Sequence, residues 1–253
     1  MEYSDLLVSL IRWLHITAGL FFVGLNWWFS VVFIPFTMST DQETRRRSSL
    51  ELVPRGLYWF RWSALYTLIF GVLLLVFLFY MGGLTTEGQA SWTTGTYVMV
   101  FVTFLSYRIY HLIVKTPVGK NLRLMGVIGL VYVAILALCM IDFGNFSYRA
   151  YVIHIGALFG LILVGNVWEK IWPGQRKIIE AIKAGNPADP AIMAEVGTYA
   201  QHNAYLSVPL LWTMIDAHTA VPAADSWLYL IGVIVVGWGI VALALKRGAK
   251  LKV

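Results

Sequence analysis

The sequence predicts an all-α integral membrane protein: a bundle of seven transmembrane helices, N-terminus outside and C-terminus cytoplasmic. Three observations carry that prediction. Charged residues make up only 13% of the chain and hydrophobic residues 59%, against about 25% charged in ordinary soluble domains. Apolar windows of about 20 residues, long enough to cross a bilayer core about 30 Å thick, recur along the chain without the alternation of barrel strands. Lys and Arg also fall almost wholly in every second connection.

Taken in order, the predicted spans are Leu6–Phe36, Leu57–Met81, Thr96–Lys115, Leu124–Ile141, Tyr148–Trp172, Tyr199–His218 and Trp227–Leu245, within one transmembrane domain over 1–253. The first is long enough to tilt or overhang. It has no basic region before it and carries Arg12 and His15, so it does not read as a cleaved signal peptide. Between the fifth and sixth spans, Pro173–Val196 reads as a loop with a short surface helix over Gln175–Lys183. One set of connections holds Arg45, Arg46, Arg47, Arg55, Lys115, Lys120, Arg123, Lys170, Arg176, Lys177, Lys183, Lys246, Arg247, Lys250 and Lys252; the opposite set holds Arg149 alone. By the positive-inside rule the first set is cytoplasmic. The net charge of +6 is thus a topology signal and not a nucleic-acid footprint. A bacterial inner membrane is the expected setting.

The sole cysteine, Cys139, excludes disulfides within the chain, thiolate metal sites and C-x-x-C-H haem attachment within it. G-x-G-x-x-G at a strand–helix turn, Walker and H-E-x-x-H motifs are missing. Carboxylates sit near span ends (Asp142, Glu169, Asp216), whereas an ion-coupled transporter more often places one at mid-span.

The five histidines remain. The predicted topology puts His15, His154 and His218 toward the outer side, His154 about 9 Å in at 1.5 Å per residue. His111 and His202 lie toward the inner side, about 5–6 Å in. Ionisable groups within a bilayer are costly and usually functional, and neutral imidazole is the common protein ligand of haem iron. His15 with His154, and His111 with His202, would each make a bis-imidazole site for haem b, one or two in all. Gly19, Gly156 and Gly160 would allow close approach of a macrocycle, although glycine series also mark plain helix packing. Arg12, three residues before His15, would meet propionates; Arg108 stands in the same relation to His111 but on the wrong side for propionates. His218 reads more as an interfacial polar residue than as a ligand; His202 also reads as a cap or lining, and His111 as a snorkelling side chain. The Trp and Tyr clusters read as interface belts.

The stretch "HIGALFGLILVGNVWEKIWPGQRKIIEAIKAGNPADP" (154–190) followed by "HNAYLSVPLLWTMIDAH" (202–218) resembles the N-terminal membrane domain of the cytochrome c-linked bacterial urate oxidases. The shared positions are His154, Gly156, Gly160, Asn166, Val167, Pro173 and Gln175, then His202, Asn203, Tyr205, Pro209 and His218. "RWLHITAG" (12–19) and "LYWFRWSA" (57–64) resemble that family's first and second spans. The first span also looks like small haem-b membrane proteins of the protoporphyrinogen-oxidase and copper-resistance type. The resemblance implies seven or eight helices, a respiratory membrane and electron delivery to c-type cytochrome. It carries over His15, His154, His202 and His218, but not His111. Tyr58 and Ser63 stand where the family has a histidine and a glutamate, and no fused cytochrome c domain is expected. Three functions follow. The first is a b-type cytochrome subunit passing electrons between quinol or a partner subunit of a respiratory complex and c-type cytochrome. The second is a urate or purine oxidase in which Arg108 or Arg12, Asn203 and Tyr205 bind the anionic substrate. The third is a non-redox anchor or transporter.

Overall fold

Helix follows helix along the computed structural model, which describes residues 3–87, 91–217 and 226–250. Helix α1 (Tyr3–Trp27) runs through a π-helical turn (Trp28–Phe33) into α2 (Ile34–Ser39), then come α3 (Gln42–Glu51) and α4 (Val53–Leu74), itself continued by a π turn (Leu75–Tyr80). Helices α5 (Thr94–Val114), α6 (Leu122–Asp142) and α7 (Tyr148–Asn166) follow. A third π turn (Val167–Ile171) joins α7 to α8 (Trp172–Lys183), and α9 (Pro190–Asp216) and α10 (Trp227–Gly248) complete the order. No strand occurs among the described residues.

Six helical stretches are long and apolar enough to cross a membrane: Asp5–Ser39, Val53–Tyr80, Thr94–Val114, Leu122–Asp142, Tyr148–Lys183 and Trp227–Gly248. They coincide with six of the seven predicted spans. The segment expected over Tyr199–His218 is helical up to Asp216 as the second part of α9, but α9 is not among the six. Its sequence is diluted by His202, Asn203, Ser207, Thr213 and Asp216, all of them buried. The short helix expected over Gln175–Lys183 is present as α8, which begins slightly earlier, at Trp172. Pro173 sits in the first turn of α8, where its missing N–H costs no helical bond, so the chain continues without a break to Lys183. Gly185, with φ +77°, then closes α8, its N–H and that of Asn186 bonding back to Ile182 and Ala181.

The chain divides into two compact units. The first comprises Met1–Phe70, Leu163–Tyr205 and Gly239–Val253. Its core is aromatic: Phe22 and Phe29 lie 5.4 and 5.7 Å from Phe60. A Cβ on Gly56 would come within 2.8 Å of the tip of the Phe29 ring, so a larger residue there would have to displace that ring. α3 packs against α8 and is started by Asp41, whose carboxylate accepts from the Thr44 N–H at 3.0 Å as an N-cap. The second unit comprises Gly71–Ile162 and Leu206–Trp238, with Leu75, Phe79, Met140, Tyr151, Ile155, Leu230 and Ile234 at its centre. Thr96 donates from Oγ1 to the Gly144 carbonyl at 2.8 Å and ties α5 to the α6–α7 turn.

Candidate functional site

Histidine was the residue the sequence singled out, and the structure gives four of the five distinct surroundings. His218 lies outside the described residues. Both expected pairs draw one member from each unit: His15 and His202 belong to the first, His154 and His111 to the second.

On α1, His15 is half-buried and its Nδ1 lies 2.9 Å from the Thr67 carbonyl oxygen on α4. A carbonyl only accepts, so Nδ1 carries the proton and Nε2 keeps the lone pair. This is the tautomer that a second-shell carbonyl imposes on metal-ligating histidines. Gly19, one turn on, faces the same place on α4: a Cβ there would sit in ordinary contact, 3.7 Å from the Thr67 methyl. Arg12 is exposed.

On α7, His154 is fully buried. Its Nδ1 donates to the Ala150 carbonyl at 2.6 Å, and the Tyr80 hydroxyl donates to Nε2 at 3.1 Å. Phe146, Tyr80 and Phe79 wall the ring at centroid distances of 4.8, 5.7 and 6.3 Å. Tyr80 is set by the π turn that ends α4, a type of irregularity that often marks functional positions. The His154 tautomer suits iron, but in this arrangement Tyr80 holds the lone pair that iron would need. Gly156 faces α9, where a Cβ would meet Thr213 Oγ1 at 2.5 Å; Gly160 faces Leu210 at 3.9 Å. Gly156 therefore serves the contact between α7 and α9, whereas a Cβ at Gly160 would be in ordinary contact.

His111 is buried near the end of α5 beside Tyr107, 6.0 Å between centroids. Arg108, on the same helix, is exposed with its guanidinium 5.7 Å from the Tyr107 ring. His202 is buried on α9, 6.5 Å from the Tyr199 ring. Its neighbour Asn203 is fully buried and committed: Oδ1 accepts from Asn166 Nδ2 at 2.8 Å, and Nδ2 donates to the Leu163 carbonyl at 3.0 Å. Tyr205 is half-buried. No group of three or more His, Cys, Asp or Glu side chains converges as a metal site among the described residues.

Two features escaped the sequence reading. One is the Tyr80–His154 pair, because the residues are 74 positions apart. The other is Arg61 on α4, whose guanidinium lies 4.2 Å from the Trp172 ring centroid, 5.5 Å from Trp62, 5.7 Å from Trp168 and 6.0 Å from Tyr58. Trp168 Nε1 donates to the Arg61 carbonyl at 3.1 Å. The "RW" of the second span was visible, but nothing local announces that two tryptophans from another helix close on it.

Six helical stretches of membrane length and apolar composition are compatible with a helical membrane protein, and buried histidines stand on separate helices. The chain belongs to the urate oxidase N-terminal family, whose model matches residues 42–247. That match takes in every predicted span except the first, so Arg12, His15 and Gly19 lie outside it. No curated protein and no solved structure matches the chain, and nothing supports the looser likeness to small haem-b proteins.

Proposed function

We propose that this chain is the membrane portion of a urate-oxidising system, taking electrons from urate or a related purine and passing them toward a c-type cytochrome. The observation that carries this reading is the family match over 42–247. Oxidation of the purine ring removes two electrons, whereas a cytochrome haem accepts one at a time, so the path needs a one-electron relay. Haem b would supply that relay. Of the described histidines His15 suits it best, because its bond to Thr67 leaves Nε2 as the ligating atom. A quinol or another respiratory subunit would serve as the alternative electron donor. The setting is a bacterial inner membrane, crossed seven times with the N-terminus outside, a topology supported by the Lys and Arg distribution.

Membranes containing the chain should reduce added cytochrome c when given urate, and control membranes should not. The second reading, a b-type cytochrome subunit with no purine chemistry, is favoured by the His15 tautomer alone. A pyridine haemochrome assay separates the two. Haem without urate turnover leaves the second, and a colourless protein that still turns over urate removes haem from the first.

A further inference from the structure

Arg61 holds a charge that the described protein does not neutralise. Among the described residues no carboxylate pairs with it; Glu51, Glu87, Glu195 and Glu180 pair with Arg47, Arg149, Lys170 and Arg176. Its Nε is buried and has no hydrogen-bond acceptor, and neither has Nε1 of the adjoining Trp62. A second guanidinium, that of Arg176 on α8, lies 5.5 Å from the same Trp172 ring that Arg61 covers at 4.2 Å. Arg176 is shared with Glu180 at 3.4 Å, and both of these side chains are more than half exposed. Two cations on one indole repel, and ring faces alone do not discharge an arginine. Arg61 is therefore open to pairing with an anion.

The level of the site says which kind. A core about 30 Å thick consumes about 20 helical residues. Counted back from Tyr80, the end of the Val53–Tyr80 stretch, that length reaches Arg61. Counted forward from Tyr148, the start of the Tyr148–Lys183 stretch, it ends just before Trp168 and Trp172. Two separate counts place the arginine and its tryptophans at the edge of the hydrocarbon, where headgroups begin and where Trp is enriched. Beyond Trp172 the helix turns amphipathic, with Ile178, Ile179 and Ile182 set among Arg176, Lys177, Glu180 and Lys183.

We propose that Arg61 and Arg176, framed by Trp62, Trp168 and Trp172, form a binding site for the phosphodiester of an anionic glycerophospholipid. The guanidinium edge matches two phosphate oxygens. The aromatic faces already carry guanidinium, which disfavours the ammonium of a zwitterionic headgroup. Acyl chains would run along the membrane-facing side of α4, where Tyr66 and Ile69 are exposed.

The test is native mass spectrometry of the whole protein in neutral detergent, titrated with phosphatidylglycerol, phosphatidylcholine or inorganic phosphate. The wild type should retain phosphatidylglycerol in preference to phosphatidylcholine. Arg61→Gln should weaken phosphatidylglycerol binding about tenfold, the loss of one charge-assisted contact, and Arg61→Lys by less. Undiminished binding to Arg61→Gln overturns the proposal. So does displacement of the lipid by equimolar inorganic phosphate, which would make this a site for the free ion. A variant that loses urate affinity while keeping its lipid would make Arg61 a substrate residue, and the lipid site falls. If Arg61→Gln does not fold, Arg61→Lys and Arg176→Gln carry the test, and unchanged lipid binding in both overturns the site.

Discussion

Asn203 is a single side chain whose surroundings only the structure supplies. The sequence offers it as a substrate ligand beside His202. In the structure its carboxamide is spent on Asn166 and on the Leu163 carbonyl. Replacing Asn203 with Ala leaves a buried Asn166 amide without that partner. In the apolar setting of a membrane helix this should cost about 1–2 kcal/mol, seen as a lower unfolding midpoint in detergent while substrate affinity is unchanged. His15 is the complementary case. It sits with a free-standing Nε2 tautomer, and His15→Ala should remove the b-type absorption spectrum that the haem reading requires. A protein that keeps its full spectrum after that change takes its iron ligands from elsewhere. Asp41 adds a pH-dependent residue outside the spans. The Thr44 hydroxyl, then the Thr44 N–H, hold its carboxyl below the ordinary carboxylate range. The cap on α3 is therefore fully present above the ordinary value and is lost as pH falls through the lowered one. The Thr44 amide resonance, followed by NMR, should titrate with that depressed midpoint.

At the scale of elements, close approach between helices is governed by a few glycines, and they can be told apart. A Cβ on Gly156 would collide with Thr213 on α9, whereas one on Gly232 in α10 meets nothing within 4 Å. Gly156→Val should lower stability by about 1–3 kcal/mol through overpacking, and Gly232→Ala should leave it unchanged or slightly raised, since alanine is the better helix former. Thermal unfolding of the two variants side by side checks the contrast. The three π turns, at Trp28–Phe33, Leu75–Tyr80 and Val167–Ile171, belong to the same scale. Each lies inside an apolar run whose periodicity is indistinguishable from plain α-helix, so composition conceals them. Yet one of them delivers Tyr80 to His154, and another lies between Asn166 and Trp172.

For the molecule as a whole, the decisive measurements are topology and turnover. Reporter fusions after Arg47 and after Glu87 should report opposite sides of the membrane, the first cytoplasmic, if the basic connections face inward. Urate-dependent reduction of cytochrome c by membranes carrying the chain should exceed that of control membranes, and its absence in haem-replete protein would leave only the electron-transfer reading.

Class, element order and family were legible in the residues because they depend on local quantities. Apolar length decides whether a helix can lie in lipid, and the motif of 154–190 with 202–218 points to the urate oxidase N-terminal family on its own. Even the exception, α9, is local in origin, since buried polar side chains dilute its hydropathy. The partners of those side chains were not legible. Thr67 on His15, Tyr80 on His154, Asn166 on Asn203 and two distant tryptophans on Arg61 are each separated by 37 to 111 positions. Helical periodicity assigns a residue to a face but leaves open which face of which other helix comes opposite. Only packing of the assembled helices settles that, and with it the hydrogen bonds that His154 and Asn203 make in the interior.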